Sequence, residues 1–438
     1  MNVDEIEQRE LGAGSSCVKQ RVLEGLFAAL LLLGAPPATA QQDFEVPPTF
    51  RASEIVPPEL LAGPNHRVAE RVVNDGFMNI YTVNSRFGTF TANSYEELRI
   101  RVAEVNAIAE METWSQSEQF LMGMQKAGRD VLEGSTRLIA DPVQVLKDTS
   151  GGVKAIFASI QRNLAKHVGG EEDGKSIRDH VRDLIGYSLA KRQYAASFGV
   201  DPYSTNPVVQ EYLDRLSRVG FAGDLGTKTA LGFLEGGVGT AATVADQLQS
   251  LREEVRDKSP GELRQMNEKK LREMGVEPAV IELYLGNYVF SPTYQTAFVD
   301  ILGSIDDVAD RGEFVKVVVL AKDEDQALFR LNQARMYANH HEAVAPLEAF
   351  VLVSELVVVA AQTTDGTLVV QVPADYVSFS FNLAGFFVAA RSGLDSLEGI
   401  KRKQLWLSGG ISPVARKWIE ESGWSVHTHT RRQAPPPP

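Results

Sequence analysis

The sequence predicts an α+β protein in which a mostly α-helical region with a small N-terminal β-hairpin precedes a C-terminal α/β domain. Three observations support this fold class. Between about residues 94 and 310, helix-starting residues precede apolar positions that recur at helical spacing. After residue 312, β-branched runs alternate with helical patterns. Hydrophobic residues make up 44% of the 438 positions and charged residues 23%, which is an ordinary globular composition with room for full cores.

Residues 1–40 have the layout of a secretory signal. Lys19 and Arg21 precede an apolar run at 26–33, and Ala38-Thr39-Ala40 forms a small-residue cleavage site. An apolar run of this length is too short to cross a bilayer as a helix. The sequence therefore predicts an exported protein, periplasmic or secreted. The alternative is that the apolar run is an internal buried helix.

Charge and cysteine content limit the classes of function. The formal net charge is −13 and no long basic run is present, so the chain should repel nucleic acid. Cys17 is the only cysteine and lies in the predicted signal, before the apolar run. The mature chain would then have neither disulfides nor cysteine-ligated metals.

The next two segments are predicted to be an extended strap and a hairpin. Residues 41–75 are rich in proline, which favours an extended segment. Residues 78–92 contain two β-rich runs around the turn at Asn84–Gly88, within a region 76–310 that is otherwise mostly helical. Ser94 is placed to cap the first long helix, with acidic residues in its first turn.

Four further helix starts follow in this region. The first is Asp141-Pro142, where a capping residue precedes proline at the first helical position. The sequence predicts one helix from about Pro207, after a loop with Asp-Pro and Asn-Pro turns. Two more are predicted where a serine cap is followed by proline, at Ser259-Pro260 and Ser291-Pro292.

Residues 312–430 are predicted to form the α/β domain. Residues 313–321 (EFVKVVVLA) have the composition of a strand, and 324–340 the pattern of a helix. Residues 347–372 predict two strands joined at the Asp365-Gly366 turn. A strand, a helix and a strand are predicted within 403–429, and the proline-rich tail 431–438 is predicted to be disordered.

A glycine-rich stretch contains two near-matches to nucleotide-binding motifs. Gly226–Thr229 lacks the contiguous Gly-Lys-Thr of a phosphate loop, and Gly237–Ala242 (G-x-G-x-x-A) does not follow a predicted strand. The sequence thus predicts no nucleotide and no cofactor. Apolar residues from 231 to 248 follow helical spacing, so residues 229–248 are predicted to form one helix. Its small-residue stripe is expected to pack closely against another helix or to contact a membrane, and consists of Gly232, Gly236 and Gly239.

Two weak candidate sites lie near the C-terminus. His427 and His429 alternate along a predicted strand, which would place both rings on one side as part of a zinc site. No HExxH motif accompanies them, so the sequence predicts no metal. A predicted strand-to-helix loop, ending at the helix cap, could bind a small anion through backbone amides or form a plain turn; its candidate residues are Ser408, Gly409, Gly410 and Ser412.

Three stretches resemble uncharacterised exported bacterial proteins. They are residues 198–217 (FGVDPYSTNPVVQEYLDRLS), 271–302 and 405–426, the last including SGGISPVARKWIEESGW. Together they cover 74 of the 438 residues, about a sixth of the chain. The resemblance implies no activity and identifies no catalytic residue.

The leading functional hypothesis is a non-enzymatic cell-envelope protein that binds a protein partner or a membrane surface. No G-x-S-x-G nucleophile motif supports a hydrolase. The alternative is a periplasmic hydrolase or small-ligand-binding protein that uses the C-terminal α/β domain.

The signal generates the first prediction. Export should be accompanied by cleavage after Ala40, because the basic flank, apolar core and A-x-A site have the order that signal peptidase requires. Mass spectrometry of the protein isolated from the producing cell should find a mature chain that begins at Gln41. A chain that retains residues 1–40 and stays in the cytoplasm would contradict this prediction.

Overall fold

The computed structural model describes residues 44–118, 120–122, 177–222, 249–353, 358–381 and 399–430, with a few residues between 383 and 397. All but Phe44 belong to one compact unit, Glu45–Pro438. Helices and strands are both present, which confirms the predicted mixed α+β class. In chain order the elements are β1 (Thr49–Arg51), α1 (Ala52–Ile55), α2 (Pro58–Leu61), β2 (His66–Val68), β3 (Arg71–Asn74), β4 (Asn79–Ser85), β5 (Gly88–Ala92), α3 (Tyr95–Ser115), α4 (Ile177–Phe198), α5 (Pro207–Ala222), α6 (Gln249–Asp257), α7 (Pro260–Glu273), α8 (Pro278–Gly286), α9 (Pro292–Gly303), α10 (Arg311–Val318), α11 (Glu324–Ala343), β6 (Leu347–Val353), β7 (Val358–Thr363), β8 (Thr367–Val372), β9 (Tyr376–Val377), β10 (Arg402–Leu407), β11 (Gly410–Ile411), α12 (Pro413–Glu421) and β12 (Ser425–His427).

The N-terminal sheet is antiparallel and is built around β4. Strand β4 pairs with β5 in a hairpin, which confirms the hairpin predicted at 78–92. It also pairs with β2 and β3, and β3 pairs with β1. The proline-rich segment 41–75, predicted to be an extended strap, therefore contributes three strands to this sheet and also forms two one-turn helices. Alternate residues of β4, including Tyr81 and Val83, are buried in the core beneath α3.

Helix α3 begins at the predicted cap. The Ser94 hydroxyl accepts a hydrogen bond from the Glu97 amide at 3.0 Å, and the Glu97 carboxylate accepts one from the Asn93 amide at 2.6 Å. Its core face packs with β4, α4 and α5 in one hydrophobic cluster that includes Leu98 and Ile108. A serine cap with acidic first-turn residues thus predicted this helix correctly.

Three other predicted helix starts are also confirmed, whereas the predicted start at Asp141-Pro142 lies outside the described residues. Helix α5 begins at Pro207. Ser259 forms a reciprocal capping box with Glu262, and the Ser291 hydroxyl accepts a hydrogen bond from the Tyr294 amide. Each cap satisfies an amide that the first helical turn leaves without an intrahelical partner.

The strand predicted over 313–321 was wrong, because α10 occupies residues 311–318. Its β-branched composition suggested a strand, but its buried residues are Phe314, Val315, Val317 and Val318. The last three of these residues lie one, three and four positions after Phe314, a spacing that places all four on one face of a helix. Tertiary burial of that face therefore outweighs the modest intrinsic preference of valine for strands.

The C-terminal sheet has the strand order β12-β10-β8-β7-β6. Strands β8, β10 and β12 run parallel, whereas β7 and β6 are antiparallel to their neighbours. Residues 347–372 thus hold three strands rather than the predicted two, with the Asp365-Gly366 turn joining β7 and β8. The predicted strand, helix and strand after residue 402 are confirmed as β10, α12 and β12.

Both faces of this sheet are covered. One face of β7, including Val359 and Ala361, packs into the core formed by the helices from α6 to α11. The opposite face, including Val358 and Ala360, packs into a second core with α12. Strands buried on both faces are expected to be mainly apolar, and β7 and β8 each carry four apolar residues with glutamine and threonine as the only polar types.

The aromatic core crosses the predicted domain boundary between 310 and 312. Phe314 has its ring centroid 5.3 Å from Phe298, 5.8 Å from Tyr337 and 5.5 Å from Phe350. Phe298 lies before that boundary and the other rings lie after it. Residues on both sides therefore share one hydrophobic core.

Asp375 connects the C-terminal part of the chain to the N-terminal sheet. Its Oδ2 accepts hydrogen bonds from the Asn79 amide at 3.1 Å and from the Tyr95 amide at 2.9 Å. The Asn74 side chain also donates to the Tyr376 carbonyl at 3.2 Å. One carboxylate thus accepts a backbone hydrogen bond from the first residue of β4 and from the first residue of α3, although it lies about 280 residues or more away in sequence.

The shared core generates the second prediction. Phe314→Ala should lower the free energy of unfolding by about 3–5 kcal/mol, because a fully buried ring would be replaced by a cavity. Leu283→Ala is the control, since Leu283 is 64% exposed and should change stability by less than about 0.5 kcal/mol. Urea unfolding followed by circular dichroism measures both. A loss below about 1 kcal/mol for Phe314→Ala would contradict the packing.

Candidate functional site

A buried ion cluster forms around Arg101 on α3. The guanidinium donates to the Glu97 carboxylate and to the Glu104 carboxylate, each at 2.9 Å. Glu324, in the first turn of α11, lies 3.6 Å away. We call Glu97, Arg101, Glu104 and Glu324 the Arg101 cluster. The helical spacing of 97, 101 and 104 places three of these groups on one face of α3.

The loop between α4 and α5 completes this cluster with uncharged polar groups. The side-chain amide of Asn206 donates to the Glu104 carboxylate at 3.0 Å, and the Ser204 hydroxyl donates to the other oxygen of that carboxylate. The Thr205 hydroxyl donates to Glu324. The cluster therefore connects α3, this loop and α11, three segments that are far apart in sequence.

Burial and charge act in opposite directions on these groups. Burial raises the pKa of Glu97 and that of Glu324, while the positive charge of Arg101 opposes both shifts. Burial also disfavours the charge of Arg101, but the three carboxylates outweigh it and raise the pKa of the guanidinium. Arg101 is therefore a permanent cation that holds three acids.

A cavity of about 120 Å³ lies beside the Arg101 cluster. Its walls come from α3, α4, α6, α9, α11 and the loop that follows α4, so we call it the α3–α11 cavity. Much of the wall is apolar, including Ile100, Ala103, Ala196, Val200, Leu251 and Leu328. The charged and polar groups at the wall include Glu104, Glu324, Asp201, Tyr294, Arg192 and Arg335. A mostly apolar hollow with a few converging polar groups is the usual form of a small-molecule site.

Asp201 lies at the cavity wall and ties the loop after α4 to the start of α9. It accepts hydrogen bonds from the Thr293 hydroxyl at 2.7 Å, the Ser291 hydroxyl at 3.3 Å and the Tyr203 amide at 3.0 Å. Burial raises the pKa of Asp201 to about 6, although these hydrogen bonds favour the ionised form. Asp201 therefore changes charge in a mildly acidic range.

Tyr294 contributes a protonated phenol to the same wall. Its hydroxyl lies 3.4 Å from a Glu324 oxygen. Burial, followed by the charges of Glu324 and Asp201, raises the pKa of Tyr294 well above the value of a free phenol. The group therefore stays neutral and acts as a hydrogen-bond donor at physiological pH.

Arg335 and Arg192 differ from the other arginines around the cavity. The Nη1 atom of Arg335 donates to Asn332 at 3.0 Å, and its Nε is buried without a hydrogen-bond partner. Arg192 is buried, and its Nε donates to the Arg256 carbonyl at 3.3 Å. Within the part of the chain that the structure describes, neither guanidinium forms an ion pair with a carboxylate. Burial lowers the pKa of Arg335.

The loop named as a candidate anion site hydrogen-bonds to the protein itself. The Ser408 hydroxyl donates to the Ala374 carbonyl at 2.8 Å, and the Gly410 amide donates to the Asp375 carbonyl at 3.0 Å. A Cβ at Gly409 would lie 2.0 Å from the Asp375 carbonyl oxygen, so only glycine fits this approach. The Ser412 hydroxyl caps α12 and also donates to the carboxylate of Glu45.

The carboxylate that is bound at the start of α12 is therefore the side chain of Glu45. Glu45 also accepts a hydrogen bond from the Phe379 amide at 2.7 Å. The alternatives of a bound anion and a plain turn both stay open for this loop.

The two C-terminal histidines do not share a strand. Strand β12 ends at His427, and His429 has a left-handed backbone with φ of 58°. The alternation argument for placing both rings on one side was therefore wrong. The His427 ring stacks on Trp406 at 4.2 Å, and His340 meets the same indole edge-on at 4.8 Å. Across the described ranges, no three or more His, Cys, Asp or Glu side chains form a metal-binding group.

The remaining predicted site lies outside the described residues. Gly232, Gly236 and Gly239, together with the whole predicted helix 229–248, fall in the interval 223–248. The signal at 1–40 and the tail at 431–438 also lie outside. The helix at 229–248, the signal at 1–40 and the tail at 431–438 therefore stay predictions.

Comparisons with known proteins add no assignment. No family model matches the sequence, and no match was found among curated proteins or solved structures. Where the chain is described, none of its helices combines the length and the apolar character needed to cross a membrane.

Asp201 generates the third prediction. Its folded pKa of about 6 exceeds the ordinary value of 3.8, so the unfolded chain loses this proton first as pH rises. The associated stability is complete below pH 4 and is lost as pH rises to and through 6. Relative to Asp201→Asn, the wild type should therefore lose roughly 2–3 kcal/mol of unfolding free energy between pH 4 and 7.

Urea unfolding of both proteins at several pH values measures this difference. The comparison cancels the titration of the other acids, which both proteins share. A difference that stays constant from pH 4 to pH 7 would show that Asp201 is not buried as described.

Proposed function

We propose that this protein is an extracytoplasmic small-ligand-binding protein whose site is the α3–α11 cavity. One observation carries the proposal: an apolar hollow of about 120 Å³ brings together unpaired arginines and acids with raised pKa values. Perturbed ionisable groups and a concave apolar wall occur together mainly at functional sites. Residues 1–40 support the compartment through their signal-like order.

Small-ligand binding was the alternative hypothesis from the sequence, but the site proposed here is a different one. The sequence pointed to the C-terminal α/β domain, whereas most of this cavity comes from helices before residue 310. Of the predicted domain 312–430, α11 contributes to the wall, through Glu324, Leu328 and Arg335 among others. The cavity is somewhat smaller than an engineered protein cavity of about 150 Å³ that binds benzene. A short organic molecule therefore fits its scale.

Partner binding is the second candidate, and exposed apolar side chains favour it. Leu283, Tyr288 and Leu320 are each more than half exposed. The Asn287 side chain donates to the carbonyls of Val319 and Ala321, which brings the loops that carry Tyr288 and Leu320 together. Apolar groups that share a surface in this way are a common feature of protein and membrane contacts.

The cavity generates the fourth prediction. Ala103→Phe should abolish ligand binding, because Ala103 lines the hollow and a ring would occupy it. Thr113→Phe is the matched control, since Thr113 is exposed on the same helix. Differential scanning fluorimetry with unbranched four- to eight-carbon carboxylates and their amides provides the measurement.

We expect a saturable rise in Tm for the wild type and the control, and none for Ala103→Phe. If no member of either series stabilises the wild type, the ligand-binding function is wrong. A response that Ala103→Phe retains would place binding elsewhere on the protein.

A further inference from the structure

We infer that the ligand of the α3–α11 cavity is a small organic carboxylate with a short apolar body, and that Arg335 binds its acid group. This inference rests on the proposed ligand-binding function and deepens it.

Most of the neighbouring arginines pair with carboxylates, whereas Arg335 and Arg192 do not. Arg101 holds three carboxylates, Arg99 lies 3.1 Å from Glu96, and Arg256 lies 2.8 Å from Asp257. The contact of Arg335 with Asn332 leaves most of its guanidinium donors unused by described residues. An enclosed cation without a counter-ion is costly to the folded protein. A ligand carboxylate would supply both the missing charge and the missing hydrogen-bond acceptors.

The acids at the wall already have partners. Glu96 pairs with Arg99, and Glu104 is held by Arg101 and Asn206. Glu324 accepts from Thr205 and contacts Tyr294, and Asp201 accepts from Thr293 and Ser291. Their raised pKa values further reduce the attraction that Glu324 and Asp201 offer to a cation. The unmatched charge at the cavity is therefore positive, which favours an acid over an amine.

A carboxylate suits the site better than a phosphate monoester. Arg192, the second unpaired guanidinium, is only 6% exposed and its Nε already binds a carbonyl. This leaves Arg335 as the more accessible cation, and one cation matches one carboxylate. A phosphate monoester carries close to two negative charges at neutral pH and needs more donors. The apolar wall from Ile100, Val200 and Leu328 would then contact the hydrocarbon body of the ligand.

Isothermal titration calorimetry of the full chain tests the inference. The probes are the four- to eight-carbon carboxylates and, at matched chain length, the amide, the amine and the alkyl phosphate. The variants are Arg335→Gln and Arg335→Lys. Arg330→Gln is the control, because Arg330 lies on the same helix and binds Gln333 but does not line the cavity.

We expect the carboxylate to bind about 10- to 100-fold more tightly than its amide, the range expected for hydrogen bonds to a charged group. Arg335→Gln should remove this preference by lowering the affinity for the carboxylate far more than the affinity for the amide. Arg335→Lys should retain part of it, and Arg330→Gln all of it. Retained amide binding also shows that Arg335→Gln has kept the folded cavity.

Two kinds of failure are distinguishable. If amide and carboxylate bind equally, or if the amine or alkyl phosphate binds most tightly, the inference is wrong and the ligand-binding function stands. If no probe binds the wild type, the proposed function itself is wrong. A carboxylate preference that survives in Arg335→Gln would assign the acid group to another residue and overturn the role of Arg335.

Discussion

The architecture around the cavity depends on the enclosure of Arg101 by three carboxylates. A buried cation tolerates neither a missing partner nor a displaced one, since an uncompensated charge costs several kcal/mol. Its partners lie on α3 and α11, and the loop between α4 and α5 fixes those partners in turn. The cluster therefore sets the relative position of the elements that form the cavity wall. Purely apolar contacts between α3, α11 and the loop would allow these segments to slide past one another, whereas the directional hydrogen bonds of the cluster resist such movement.

The contrast between Arg101 and Arg335 separates two uses of the same side chain. Arg101 is satisfied inside the protein and contributes to a defined geometry. Arg335 is enclosed and forms no ion pair with a described carboxylate. Burial lowers its pKa and the charge of Glu96 only partly opposes this shift, so the charge of Arg335 reduces the stability of the unliganded fold. Strain or unmatched charge of this kind commonly marks sites where a protein sacrifices stability for recognition. Under the proposed function, ligand binding would restore the missing counter-ion.

The sequence supported most of the fold because its signals were local. Serine caps at 94, 259, 291 and 412 each act on an amide three residues away, so the structure confirms all four helix starts. Composition misassigned α10, since valine favours a strand only where a neighbouring strand pairs with it. The cavity was not predictable, because Glu104, Asp201 and Glu324 meet only through tertiary packing. The spacing of Glu97, Arg101 and Glu104 was the one local signal that could have indicated a buried ion cluster.

The hydrogen bonds of Asp375 have a consequence for biosynthesis. The amides of Asn79 and Tyr95 cannot form these hydrogen bonds until the ribosome has added Asp375, about 280 to 300 residues later. An emerging N-terminal segment can form its hairpin early, but it cannot complete the junction between β4 and α3 without the last quarter of the chain. Non-local contacts of this kind slow folding and lengthen the exposure of unpaired strand edges. If residues 1–40 direct export as predicted, a chain that completes its fold late would stay unfolded for longer during transport across a membrane.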